Sequence, residues 1–213
     1  MIEPLDTILS LVLLSILFSF GSSLLPGLIE VIAFQGIVVS IVPLFLAHDM
    51  VPAGIAFTLV TLLIRGIIIP LCIYLAIKKI AIRREVEPII GFHASILAGL
   101  ALIVVATFVS RKFDVPSISA SALLLPTTIT LLVAGMFILI ARRNAIAMVL
   151  GYIMMENGIY LVGTTFSIRA LHIVEFGILL DVLAAVMIMA IILQNINHTF
   201  DDVDTALLRT LKE

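Results

Sequence analysis

Two apolar stretches near the end of the chain each hold a carboxylate where a bilayer would offer it no water. The first opens with Arg142-Arg143-Asn144, continues from Ala145 to Leu161, and has Glu156 and Asn157 in its middle. The second carries Asp181 at the centre of its own apolar run. An earlier run holds Arg65. An ionisable group at the bilayer centre costs about 2.5–3.5 kcal/mol on insertion scales. Burial without a partner disfavours the charged form of a carboxylate, so such a group can load and unload a proton as its surroundings change. Glu156 and Asp181 are therefore candidate proton-relay groups. A static role fits the same residues: a hydrogen-bonded carboxyl can join helices, and an Asp181 paired with Arg65 would leave the same pattern.

Other polar groups surround these three. Gln35 and Asn157 are midspan amides that both donate and accept hydrogen bonds. Glu30, His93 and Glu175 fall within apolar runs but near their ends, where a side chain can reach water or headgroups. His172 and Glu175, three residues apart, share one face at the start of the last helix. They suit helix capping, and also a proton entry or exit point. No three groups have metal-ligand spacing. There is no phosphate-binding glycine loop, no Cys-x-x-Cys and no exposed nucleophile–base pair. The single Cys72 reads as a small core hydrophobe. The chain is expected to carry no metal, cofactor or redox centre of its own.

The elements that position these groups must be membrane helices. Apolar residues make up 62% of the 213, charged residues only 12%, and mean hydropathy is +1.32. A soluble domain is nearer half apolar and a quarter charged. The net charge of −2 gives no sign of nucleic-acid binding. The expected fold is all-α, a polytopic transmembrane bundle of about seven spanning helices. The stretches long enough to cross are Leu5–Ser22, Gly27–Ala47, Val51–Ile77, Ile89–Val109, Ile118–Ala141, Ala145–Thr164 and Ile173–Asn195. The organisation reads as a four-helix region over 1–110, a three-helix region over 111–195 and a polar tail over 196–213. Pro43, Pro70 and Pro126 fall inside predicted spans and would bend them. The acidic start, Glu3-Pro4-Leu5-Asp6, reads as a retained helix rather than a secretory signal.

Basic residues set the orientation. Lys78, Lys79, Arg83, Arg84, Arg142, Arg143, Arg209 and Lys212 fall on one side of seven spans, against Arg111, Lys112 and Arg169 on the other. This bias puts the acidic N-terminus outside and the C-terminus inside, in the cytoplasm.

Certain residues carry a family resemblance. Arg142-Arg143-Asn144 leading to Gly151 and a midspan acid, then another helix with its own midspan acid, resembles the K subunit of respiratory complex I. It also resembles the C subunit of multisubunit cation/proton antiporters. This likeness covers the last three helices. The whole chain is similar to hydrogenase-4 component E, a membrane subunit of energy-converting NiFe hydrogenases and formate hydrogenlyase-type complexes. The residues that carry this are Gln35 in Phe34-Gln35-Gly36, a basic residue five before Pro70, Gly151 with Glu156-Asn157-Gly158, Leu180-Asp181, and the tail from Ile196 to Arg209. The resemblance implies a non-catalytic subunit that passes protons while partners transfer electrons. Its implied partners are antiporter-like and quinone-site, H-subunit-like membrane subunits and, through them, a NiFe or quinone-reactive peripheral arm. An antiporter subunit or a scaffold between membrane subunits is the alternative. Three departures stand out, one being that the second acid is Asp181 rather than glutamate, with a shorter reach. In the K-subunit pattern the first acid follows the glycine by two residues, where this chain has Ile153; Glu156 lies about 4.5 Å further along the helix. The family's basic residue is usually lysine, whereas Arg65 stays charged and suits a fixed counter-charge.

Overall fold

A backbone crossing hydrocarbon must satisfy its own N–H and C=O groups, which a helix does within one segment. The computed structural model describes residues 4–46, 52–79, 90–113, 121–142 and 144–166, and its regular elements there are helical. They are α1 (Pro4–Gly21), α2 (Leu25–Leu46), α3 (Pro52–Leu63), a π-helical turn (Ile64–Ile68), α4 (Ile69–Lys79), α5 (Phe92–Ser110), α6 (Leu124–Ala141) and α7 (Ala145–Phe166). α3, the π turn and α4 follow one another without a break and form one span. Among the described residues, six helices are long and apolar enough to cross a membrane. With the composition, this makes the chain a membrane protein.

Six of the seven expected spans thus have a helical counterpart, and the seventh, Ile173–Asn195, lies outside the described residues. The fifth begins at Leu124 rather than Ile118. That shift changes the reading of Pro126. It falls in the first turn of α6, where a missing N–H breaks no helical hydrogen bond and no bend is needed. Pro43, by contrast, lies inside α2.

Two contacts fix the relative direction of α1 and α6. Ser121, just ahead of α6, donates to the carboxylate of Asp6 in the first turn of α1. At the other end, Arg142, just past α6, donates to the carbonyl of Phe20 in the last turn of α1. The two helices therefore run parallel.

Lipid tails are as apolar as leucine, so hydrophobicity alone does not drive membrane helices together; close packing through small residues does. Gly135 of α6 and Gly151 and Gly158 of α7 serve this purpose. A Cβ on Gly151 would lie 2.7 Å from the Leu139 nitrogen, and one on Gly158 would lie 2.7 Å from the Leu132 nitrogen. A Cβ on Gly135 would collide with the Met155 backbone. Two apolar cores flank this seam. One joins Leu9 and Ile16 of α1, Val39 of α2, Leu131 of α6 and Leu161 of α7. The other joins Leu28 and Ile32 of α2, Ile69 and Ile73 of α4, and Val149 and Ile153 of α7. Phe18, Leu97, Phe108 and Ile140 point outward and are exposed, as suits side chains facing lipid.

Candidate functional site

The site begins with a departure from the ordinary helix. Pro70 has no N–H, and in an α-helix its ring would clash with the carbonyl of Gly66. The preceding turn is wound in π register, with the Ile69 N–H donating to the Ile64 carbonyl five residues back. Such turns are short and recur at functional sites. This one carries Arg65.

Two glycines let α2 reach the π turn. A Cβ on Gly36 would sit 2.9 Å from the Arg65 carbonyl oxygen, and one on Gly66 would sit 2.6 Å from Ile37 Cγ1. The backbones meet at a distance that larger residues would forbid. Arg65 is thereby held inside the bundle with its guanidinium directed at α7.

There the guanidinium divides between two neighbouring side chains. Nη2 donates to Glu156 Oε1 at 2.6 Å, and Nη1 donates to Asn157 Oδ1 at 2.9 Å. The side chains of Arg65 and Glu156 are 2% and 1% exposed. The guanidinium carbon also lies 4.7 Å from the centroid of the Tyr160 ring. Glu156 and Tyr160, four residues apart, share one face of α7. Desolvating two charges costs several kcal/mol each, and their attraction offsets this only when further hydrogen bonds are made. The Asn157 amide oxygen and the Tyr160 π face supply such contacts. A buried carboxylate thus has a fixed positive partner that cannot itself release a proton near neutral pH.

Among the sequence candidates, Arg65, Glu156 and Asn157 come together directly. Gln35 is fully buried on α2, next to the Gly36 contact with Arg65. Glu30 on α2 and His93 on α5 are exposed. Asp181, Glu175 and His172 lie outside the described residues. Tyr160 was not singled out by sequence reasoning; its spacing from Glu156 was the available signal.

Arg142 is a second buried cation, only 2% exposed. The sequence places it in a linker, as part of the charge bias. In the fold, Nη2 donates to the Phe20 carbonyl at 3.0 Å and the guanidinium lies 5.3 Å from the Phe92 ring centroid. A cation there complements the negative end of α1. Burial lowers the pKa of Arg142 from the usual arginine value.

The fold and site define a polytopic helical membrane protein with an arginine, a carboxylate and an amide joined inside the bundle. The chain is similar to an uncharacterised protein of Mycobacterium tuberculosis, Rv0085, at 28% identity over 207 residues, covering 95% of this chain and 93% of that one. It is also similar to hydrogenase-4 component E of Escherichia coli K12 and of Shigella flexneri, at 25% identity over 146 residues, covering 68% of this chain and 68% of each relative. No family model matches the chain, and no solved structure matches it. The distant likeness to hydrogenase-4 component E supports the resemblance drawn from the sequence at the level of that family.

Proposed function

We propose that this chain is a non-catalytic membrane subunit of an energy-converting hydrogenase or complex-I-like redox assembly, and that it completes a proton path through the membrane arm. Electron transfer belongs to partner subunits. Glu156 and Asp181 are the relay groups, and Arg65 is the counter-charge that tunes Glu156. One observation carries the reading: Arg65 forks between Glu156 and Asn157 inside the bundle, where the side chains of the ion pair are buried. A proton reaching Glu156 cancels the carboxylate's charge and weakens its hold on the guanidinium. Loss of the proton restores the pair. Proton occupancy is thereby tied to the placement of a charge, and a partner subunit can act on that link. By sequence position, Glu175 and His172 fall toward the outer end of the last expected span, and Glu30 and His93 toward the cytoplasmic ends of theirs.

The partners in this reading are antiporter-like and quinone-site membrane subunits of a prokaryotic inner membrane, with a NiFe or quinone-reactive arm beyond them. The N-terminus faces outward and the C-terminus the cytoplasm. The region 111–195 corresponds to the K-subunit-like part and the tail 196–213 lies in the cytoplasm. A second reading is favoured by the same ion pair: Arg65 and Glu156 form a fixed cross-link, and the chain is a scaffold.

Purification of the chain from its native membrane, with identification of what comes with it, tests the assembly. Hydrogenase or quinone-oxidoreductase subunits are expected. Recovery of cation/proton antiporter subunits alone would replace the redox assembly with an antiporter.

A further inference from the structure

Gln35 is 0% exposed, yet neither its amide nitrogen nor its amide oxygen has a hydrogen-bond partner among the described residues. The same holds for the amide nitrogen of Asn157, also 0% exposed. Buried polar groups left unpaired are costly, and in native proteins ordered water commonly satisfies them.

Gln35 borders the contact through which α2 meets the Arg65 cluster. Gly36, beside Gln35, touches the backbone of Arg65, and Arg65 holds Glu156 and Asn157. One turn before Gln35, Ile32 lies in the core that contains Ile153, one turn before Glu156. One turn after Gln35, Val39 lies in the core that contains Leu161, one turn after Asn157. The α2–α7 packing thus continues on both sides of Gln35 and on both sides of the Glu156–Asn157 step.

We infer that Gln35 and the Asn157 amide nitrogen bind internal water beside the Glu156 carboxylate, and that Gln35 is the positioning residue for the proton donor to Glu156. Gln35 offers both a donor and an acceptor, so it can hold water or hydronium there. In the transfer, an O–H bond of hydronium breaks, an O–H bond forms on the Glu156 carboxylate, and neutral water stays on the amides. Arg65 keeps its charge throughout. The inference deepens the proton-path reading and rests on it for the transfer step, but the bound water does not depend on it.

The test is a cryo-EM map of the intact complex, at a resolution that shows water, together with the coupling of Gln35→Leu and Gln35→Asn complexes. Water density within hydrogen-bond reach of both the Gln35 and Asn157 amides is expected. Protons translocated per electron should fall in Gln35→Leu, and less in Gln35→Asn, which keeps an amide, with electron transfer retained in both. Wild-type density with the Gln35 amide bonded only to protein groups overturns the inference, even if Glu156→Gln lowers coupling. Water density at both amides with unchanged coupling in Glu156→Gln keeps the water site and removes the proton-path reading. Water density with unchanged coupling in Gln35→Leu overturns the positioning role.

Discussion

Arg65 Nη2 lies 2.6 Å from Glu156 Oε1, and neither side chain has more than 2% of its surface open. Removing one member of such a pair strands the other's charge, at about 3–5 kcal/mol. Glu156→Leu alone is expected to lower the melting temperature of the detergent-solubilised protein markedly. Adding Arg65→Met should recover most of that loss, since two apolar side chains leave no uncompensated charge. Arg65→Lys keeps the charge but cannot fork to both Glu156 and Asn157, so it should lose about 1–3 kcal/mol. An additive double mutant in the same melts would show that the pair is not coupled.

The seam between α6 and α7 makes a separate prediction. A Cβ on Gly135, Gly151 or Gly158 meets backbone atoms, which cannot swing aside as the end of a flexible side chain can. Gly135→Ala and Gly158→Ala should each push the helices apart and lower the yield of folded protein, by the roughly 1–3 kcal/mol typical of overpacking or more. Gly91→Ala is the control. Nothing lies within 4 Å of a Cβ there, so its cost is confined to the poorer cap that alanine makes for α5, about 1 kcal/mol or less. Folded yield and melting temperature distinguish the two classes.

Arg142 joins three helices at one end of the bundle, through the Phe20 carbonyl of α1, the Phe92 ring of α5 and its own place after α6. A hydrogen bond from a charged donor is worth about 1.5–3 kcal/mol. Arg142→Ala should therefore destabilise by that order and speed hydrogen exchange in the last turn of α1. Exposed Arg111→Ala should leave both measurements unchanged.

Much of this arrangement can be read in the sequence. Apolar length marked out six spans, five to within three residues at either end and the fifth in order six residues early at its start, because the bilayer demands about 20 apolar residues per crossing. Midspan depth singled out Arg65, Glu156, Asp181, Asn157 and Gln35 as the polar groups to explain. Pairing was not legible. Arg65 lies 91 residues from Glu156 along the chain, and Asp181 was an equally good partner on depth alone. Pro70 announced a distorted helix, but that the distortion is a π turn presenting Arg65 depends on Gly36 meeting Arg65 and Gly66 meeting Ile37 across two helices. Arg142 looked like an ordinary linker cation, because one-dimensional sequence does not show that α1 ends beside it. Pro126 was read as a bend because the start of its helix was placed six residues too early.

The central claim is that protons pass through Glu156. It is tested most directly by the ratio of protons translocated to electrons transferred, measured in sealed native membrane vesicles carrying Glu156→Gln. The variant keeps the side chain's size and an oxygen that can accept from Arg65, but it cannot take up and release a proton. The account predicts a sharply lowered ratio while electron transfer by the partner subunits continues with the coupling released. An unchanged ratio in a fully assembled complex would contradict it and leave Arg65 and Glu156 as a cross-link between helices.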